Sequence, residues 1–414
     1  MNVPGDRQGE TAEWTCPFCS LLCDRFTVTS LPHGRLKLQG SDCARAAEGL
    51  EHHAACAAEA PPLLGQRVVT LEEAIAAAAS RLGCAQLPLI GGLATDVAGA
   101  RALYRLGVRL GAVADHAHGR ALFHAARAQQ DRGVYYTTLA EVRNRADLIV
   151  CLGTNPTEHY PEFFRRAGIG EDLVAQREVV FLGASVDAAL QGRPGVTVQT
   201  LPQDDLFTTL AMLNALVARK RLPHAVPALQ DLADRLHAAR YAVIVWEPGR
   251  LNEHGSLLAE GVQRLVDTLN HVTRAASLAL GGSKGGYTAQ QVYTWLSGLP
   301  IRTHVSPLGL EYDPLRFDAR QLLADGAVDA LLWVDSFEPT PPPASAIPLV
   351  LLGHPATKVP EGDVVFIPVS TPGVGSYGHL FRTDGGVVVP LQPLREDGLP
   401  TVAQVVSRLM EALQ

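Results

Sequence analysis

Four cysteines, Cys16, Cys19, Cys23 and Cys43, stand near the start of a 414-residue chain with the spacing C-x2-C-x3-C-x19-C. Four thiolates from one short region suit a tetrahedral soft-metal site or a [4Fe–4S] cluster, in which each cysteine takes one iron. Structural zinc more often draws on two well-separated Cys pairs. Here three ligands crowd together and the fourth comes from a distance. That ranks a cluster, intact or degenerate, above zinc, and zinc above a cysteine-bearing segment with no metal. Cys56, Cys84 and Cys151 are scattered beyond them.

A second constellation is Asp115-His116-Ala117-His118-Gly119. His-x-His is a common zinc-ligand spacing, and Asp115 or His124 would be the nearest third ligand for a hydrolytic centre. His159, His254, His271, His304, His354 and His379 stand singly, and no H-E-x-x-H occurs. An independent zinc hydrolase therefore ranks low. Gly373-x-Gly375-x-x-Gly378 has the letters of a dinucleotide fingerprint, but HLFRTDGGVVVP follows it as turn and strand. No helix N-terminus is expected there to meet a pyrophosphate, so the glycines read as a loop between strands. Gly281–Gly286 lacks the phosphate-loop order, and Lys284 within it reads as solvated, with a cleft-facing position as the alternative. Glu338-Pro339-Thr340-Pro341-Pro342-Pro343 reads as an extended connector of polyproline character rather than a docking element.

Elements of a particular kind must position these groups. Apolar residues make up 47% and charged residues 19%, enough for a sizeable core and too apolar for a disordered chain. Aromatics are only 6%, so Ala, Leu and Val must fill that core. A net charge of −7 argues against a general nucleic-acid binder. No apolar run approaches the ~20 residues of a membrane span, and the polar start carries no secretory pattern. The expected setting is the reducing cytoplasm, where structural disulfides are disfavoured.

Short apolar runs of strand length fall at Leu87–Ile90, Asp147–Leu152, Glu178–Leu182, Val196–Thr200, Tyr241–Trp246, Asp329–Val334, Pro348–Leu352 and Val364–Val369. Helical periods lie between most of them, at Leu206–Ala218, Leu257–Leu269 and Phe317–Leu323, and Thr70 with Glu73 forms a capping box ahead of LEEAIAAAASRL. Such alternation implies parallel sheets covered on both faces. ADLIVCLGTNP, REVVFLGASVD and VTVQT are echoed by VDALLWVDSFEP, PLVLLGHPATK and VVFIPV, which suggests two related doubly wound units. The expected organisation is a Cys-rich segment 1–59, α/β domains 60–240 and 241–369, and a loop-rich segment 370–414 whose closing helix packs back on the core. Ala60-Pro61-Pro62 would link the first two.

TCPFCSLLCDRF with SDCARAAEGLE resembles the N-terminus of the molybdopterin-oxidoreductase superfamily, in particular the B subunit of formylmethanofuran dehydrogenase and of its bacterial counterpart, the formyltransferase/hydrolase complex. EVRNRADLIVCLGTNPTEHYPEFFRR, GGYTAQQVYTWLSGLP, EYDPLRFDARQLLADGAVDALLWVD and STPGVGSYGHLFRTDGG are similar to later blocks of that family, in order. The resemblance implies two interleaved doubly wound parallel-sheet domains with a small N-terminal Cys-rich domain, the β-barrel that closes over the cofactors being a separate chain. It also implies a pterin groove at Gly153, Asn155, Thr371, Gly378 and Arg382, and a cluster at Cys16, Cys19, Cys23 and Cys43.

The chain departs from that pattern where the family's tungsten or molybdenum is held. A Cys-His-Gly turn there has Ala117-His118-Gly119 as its counterpart, and a methyl group cannot bind the metal. A block with Arg before Gly-His-Tyr has Lys284 before Gly285-Gly286-Tyr287, and Lys lacks the planar fork of Arg. The resemblance then implies a vestigial site at Ala117, His118 and Lys284, with W/Mo-pterin absent and no catalytic residue in this chain. The implied function is a non-redox scaffold subunit. Its complex would move a formyl group from formyl-tetrahydromethanopterin to a methanofuran-type carrier and release formate. Amidohydrolase-like, formyltransferase and β-helical subunits would be the partners, with neither nucleic acid nor membrane involved. The alternative is a redox-active formylmethanofuran dehydrogenase chain that keeps W/Mo-pterin and a [4Fe–4S] cluster.

Overall fold

A computed structural model describes residues 11–53, 60–201, 205–251, 254–306 and 308–413. Cys56 and the end of the expected 1–59 segment lie outside them. The chain forms two compact units: one from the described residues of Met1–Gly119, Gly282–Arg382 and Val387–Gln414, the other from those of Arg120–Gly281 and Thr383–Gly386.

The first unit begins with an antiparallel sheet of β1 (Thr11–Trp14), β2 (Phe26–Ser30) and β3 (Leu36–Gln39), followed by α1 (Ala44–His52). The loop from β1 to β2 carries three of the cysteines. This segment belongs to the first unit rather than forming a body of its own. The Trp14 indole N–H donates to the Gly373 carbonyl at 2.6 Å, Arg395 donates to Gly34 O at 2.7 Å, and Leu22 joins a buried cluster with Ala94, Phe337, Leu380 and Leu391. Phe18 lies so close to α1 that a Cβ at Gly49 would fall 2.3 Å from its ring. Next come β4 (Leu63–Leu64) and β5 (Arg67–Val68), then α2 (Leu71–Cys84), which opens with both hydrogen bonds of the Thr70–Glu73 capping box. In β6 (Pro88–Ala94), α3 (Val97–Leu110) and β7 (Val113–Ala114), Asp96 caps α3 and Gly111 ends it in the left-handed conformation.

The second unit holds α4 (Gly119–Arg132) from Arg120 on, α5 (Leu139–Arg145), β8 (Leu148–Leu152), α6 (Phe163–Arg166), β9 (Arg177–Leu182), β10 (Val196–Leu201), α7 (Leu206–Val217), α8 (Pro227–Ala238), β11 (Ala242–Trp246), α9 (Gly255–Asn270) and β12 (Ala275–Ala279). Its sheet is wholly parallel in the order β10-β9-β8-β11-β12. Every residue of β8 and β11 is buried, and apolar residues of α7, α8 and α9 cover the sheet. The direction of strand addition reverses between β8 and β11, the place where such sheets open a crevice.

Back in the first unit run α10 (Gly286–Ser297), β13 (Thr303–Ser306), β14 (Gly309–Tyr312), α11 (Ala319–Ala324), β15 (Ala330–Asp335), β16 (Leu349–Gly353), β17 (Val364–Pro368), β18 (Gly378–Phe381), β19 (Val388–Leu391) and α12 (Val402–Ala412). The large sheet has the order β14-β13-β7-β6-β15-β16-β17-β4-β5, parallel from β7 to β17 and antiparallel at both ends. The sequence echo is realised as two triplets of adjacent parallel strands, β8-β9-β10 and β15-β16-β17. Each continues into a further pair, β11-β12 in one sheet and β6-β7 in the other, and that pair follows its triplet in one unit but precedes it in the other. This corrects the expected boundaries: 60–240 and 241–369 each run through both units, because β6 pairs with β15 far along the chain. The closing helix α12 packs on α2 and α3. Among the described residues no helix is long and apolar enough to cross a membrane.

Candidate functional site

The turn after β7 is built from the inside outward. The Asp115 carboxylate is buried and accepts from Arg302 Nε at 3.1 Å and the Ala319 amide at 2.9 Å. Arg302 also donates to Asp318 and to the Pro314 carbonyl, both at 2.6 Å. Burial lifts the Asp115 pKa to about 6 against the opposing pull of Arg302. A Cβ at Gly119 would stand 1.9 Å from the Asp115 oxygen, so the turn closes only with glycine.

The imidazole of His116 is a strut. Its Nδ1 accepts from the His118 amide at 2.9 Å, which puts the proton on Nε2, and Nε2 donates to the Lys284 carbonyl at 3.3 Å. Burial, with His118 nearby, holds its pKa down at about 3. With both ring nitrogens engaged, His116 has no lone pair for a metal, which removes the histidine pair a zinc hydrolase would need. His118 is exposed; its pKa is lowered by desolvation and then by the Lys284 ammonium. Ala117 donates its amide to the Gly92 carbonyl and packs its methyl against an apolar cluster.

Lys284 is not solvated: its side chain is 16% exposed, and Nζ lies 2.5 Å from Glu338 and 3.3 Å from Thr340 Oγ1. The other Glu338 oxygen is 3.9 Å from Arg45. Asp335, buried at the end of β15, has a pKa raised to about 6 by burial, with Lys284 opposing. The proline-rich loop is therefore more than a connector, since it carries Glu338 and Thr340 to the lysine. Sequence reasoning missed Arg45, Asp335 and Glu338. Only Asp335 carried a signal, an acid at the carboxyl end of an apolar strand. Lys284 itself has φ +54°, and the next residue needs glycine because a Cβ at Gly285 would lie 2.2 Å from the Thr95 carbonyl.

Cys16, Cys19, Cys23 and Cys43 are all buried. The Cys16 amide donates to the Cys23 carbonyl at 2.9 Å and closes the loop. Backbone N–H groups of Phe18 and of Leu21 and Leu22 are directed at the sulfurs of Cys16 and Cys19. Burial raises both thiol pKa values, Cys19 to about 11, and Cys16 also feels Cys19, Cys23 and Cys43. This donor set, four buried thiols within electrostatic reach and supplied with amide donors, is compatible with an iron–sulfur cluster. Among the described residues no group of three or more His, Cys, Asp or Glu side chains has metal-holding geometry. The residues do not fit tungsten or molybdenum held by a protein sulfur, because the position after His116 offers a methyl group.

No protein-family model matches the chain. It is 31% identical, over 83% of its length and 95% of the relative's, to the B subunit of the formyltransferase/hydrolase complex Fhc of Methylorubrum extorquens. The chain belongs to the B-subunit family of formyltransferase/hydrolase complexes. It is also 27% identical, over 91% of each chain, to the B subunit of the tungsten-containing formylmethanofuran dehydrogenase 2 of Methanocaldococcus jannaschii. In structure it is similar to a chain of the formyltransferase/hydrolase complex FhcABCD from M. extorquens, crystallised with methylofuran. The TM-score is 0.76 at 29% identity, covering 85% of this chain and 98% of that one. Acetylene hydratase from Pelobacter acetylenicus shares the fold alone, with a TM-score of 0.61 at 9% identity, covering 97% of this chain and 69% of that one.

In this member of the B-subunit family the residues expected to line a pterin groove are divided between the two units, and each is described in its own unit. In the second unit Gly153 has φ +61°, and Asn155 Oδ1 accepts from Thr157 Oγ1 at 3.0 Å as it opens a short 3-10 turn. Beside them Glu247, buried at the end of β11, accepts from the Thr154 hydroxyl and from His159 Nδ1, the latter at 2.7 Å. In the first unit Thr371 is buried and donates to the Ser336 carbonyl at 2.5 Å. Gly378 opens β18 close to Pro372 and Asp96, so a strand follows the Gly373–Gly378 loop, as expected for a chance fingerprint. Arg382 ends the hairpin strand region with its amide on the Val387 carbonyl.

Proposed function

We propose that this chain is the non-redox scaffold subunit of a formyltransferase/hydrolase complex. The complex moves a formyl group from formyl-tetrahydromethanopterin to a methanofuran-type carrier and releases formate. What supports the reading is the make-up of the turn after β7 in a chain that matches a B-subunit relative over 83% of its length. Ala117 presents a methyl group, His116 is spent as a strut, and Lys284 is neutralised by Glu338. No metal-centred step is left for these residues, so transfer and hydrolysis fall to amidohydrolase-like and formyltransferase partners, with a β-helical subunit completing the cytoplasmic assembly.

The four buried cysteines support a [4Fe–4S] cluster kept for structure. Bound there, the cluster would cross-link the β1–β2 loop to the start of α1, while W/Mo-pterin is absent. The test is metal and pterin analysis of the anaerobically purified native complex. Iron near four per chain without tungsten, molybdenum or pterin is the expected result. Stoichiometric tungsten or molybdenum with pterin would overturn the scaffold reading in favour of a redox-active chain.

A further inference from the structure

At the amino ends of β8, β9, β11 and β12 the second unit opens a cleft of about 630 Å³, opposite the carboxyl-end crevice where doubly wound sheets take their ligands. Tyr135, Tyr136 and Tyr241 line it together with Arg145, Arg240 and Arg274. The segment bearing the first two tyrosines runs as an added edge beside β12: Ser277 donates to the Tyr135 carbonyl at 2.7 Å, and Tyr136 bridges Ser277 in parallel. That pairing fixes the backbone and leaves Tyr135 and Tyr136 50% and 59% exposed, with Leu173 nearby at 50%.

The charge here opposes that of the whole molecule. The chain carries a net −7, yet three arginines line the cleft against one lining carboxylate, Glu141. Arg145 meets Glu141 at 3.4 Å and Arg240 meets Asp147 at 3.7 Å, both through highly exposed guanidinium groups. Such pairs hold little energy and are easily exchanged. Arg274 makes no ion pair among the described residues. Exposed tyrosines ringed by arginines match the composition that anchors protein interfaces. Small-molecule pockets are by contrast enclosed and mostly apolar. We infer that this cleft docks an acidic segment of another subunit, with carboxylates on the three arginines and an apolar or aromatic side chain between the tyrosines.

The inference rests on the assembly reading above, and the test separates the two. The full chain is produced with the other subunits of its complex and with p-benzoyl-phenylalanine in place of Tyr136, then irradiated, digested and sequenced by mass spectrometry. The expected product is one cross-link from position 136 to an Asp/Glu-bearing segment of a single partner. In parallel, Arg145→Glu, Arg240→Glu and Arg274→Glu together should weaken association about ten-fold at low salt and flatten its salt dependence. Should the reversed charges impair folding, Arg→Gln at the same positions gives the same direction with a smaller change. An assembled complex with no cross-link at 136, a cross-link to a segment lacking carboxylates, unchanged affinity in the folded variants, or a small anion retained in the cleft by native mass spectrometry would each overturn the inference. If the chain does not assemble with those subunits, the scaffold reading and this inference fall together, an outcome distinct from an assembled complex with a silent cleft.

Discussion

Lys284 Nζ and the Glu338 carboxylate meet at 2.5 Å, joining the glycine-rich loop before α10 to the proline-rich loop after β15. Arg45 stands on the far side of the same carboxylate, two residues past Cys43. The pair thus ties the cysteine-bearing segment to the glycine-rich loop that carries Lys284, and its members are only 16% and 27% exposed.

Breaking that pair from one side leaves a partly desolvated charge. Glu338→Gln is expected to cost about 1–2 kcal/mol, below the value for a fully buried pair because water still reaches it. The double variant with Lys284→Met should recover part of the loss, giving a coupling of about 1 kcal/mol in a urea-denaturation cycle. Additive effects would show that the contact contributes nothing.

His116 and His118 share a zinc-like spacing but do different work. Replacing buried His116 by Ala removes two hydrogen bonds and the packing against Gly286, and should destabilise the protein by roughly 2–4 kcal/mol. His118→Ala, at an exposed ring, should stay within about 0.5 kcal/mol. Zinc per chain should be the same in both variants as in the parent. Loss of zinc in either would revive the hydrolase.

Much of this was legible in the sequence, and the misses have a physical pattern. The apolar runs became β6, β8 to β11 and β15 to β17 with ends shifted by a few residues, because a strand buried on both faces leaves little choice of side chain; β12 (Ala275–Ala279), short and alanine-rich, was missed. The capping box at Thr70 is local chemistry and appears as read. The domain boundaries failed because β6 and β15 pair across the whole second unit, and no local pattern encodes a partner that distant. In the site, the sequence singled out Ala117, whose methyl group packs on an apolar cluster. It did not single out Glu338, since a carboxylate before prolines looks the same whether it faces water or Lys284.

The cysteines carry a separate expectation. Thiols raised as Cys16 and Cys19 are by burial are poor ligands until deprotonated, so a cluster must supply the driving force for their ionisation. Cys19→Ser or Cys43→Ser is therefore expected to lower iron per chain sharply and to expose the β1–β2 loop to limited proteolysis. Unchanged iron in both variants would show that these cysteines hold none.

His354 offers a test by pH. It is fully buried, its Nδ1 accepts from the Ala356 amide at 3.1 Å, and its Nε2 lies 3.4 Å from Nε2 of His53. Burial, with His52 adding repulsion, lowers its pKa from 6.5 to about 4, and His53 is pushed the same way. Above pH 6.5 neither state is charged there. As the pH falls below 6.5 the unfolded chain takes up a proton that the folded protein refuses until about pH 4, so stability is lost across that window. Asp115 and Asp335, raised from 3.8 to about 6, act with the opposite sign, and the net profile of the parent mixes both. The variant isolates the histidine: in His354→Asn the amide oxygen replaces Nδ1 as the acceptor for Ala356. Between pH 7 and pH 4.5 the variant should lose about 2–3 kcal/mol less than the parent, read from urea midpoints at each pH. Parallel pH profiles for the two proteins would show that His354 does not titrate with folding.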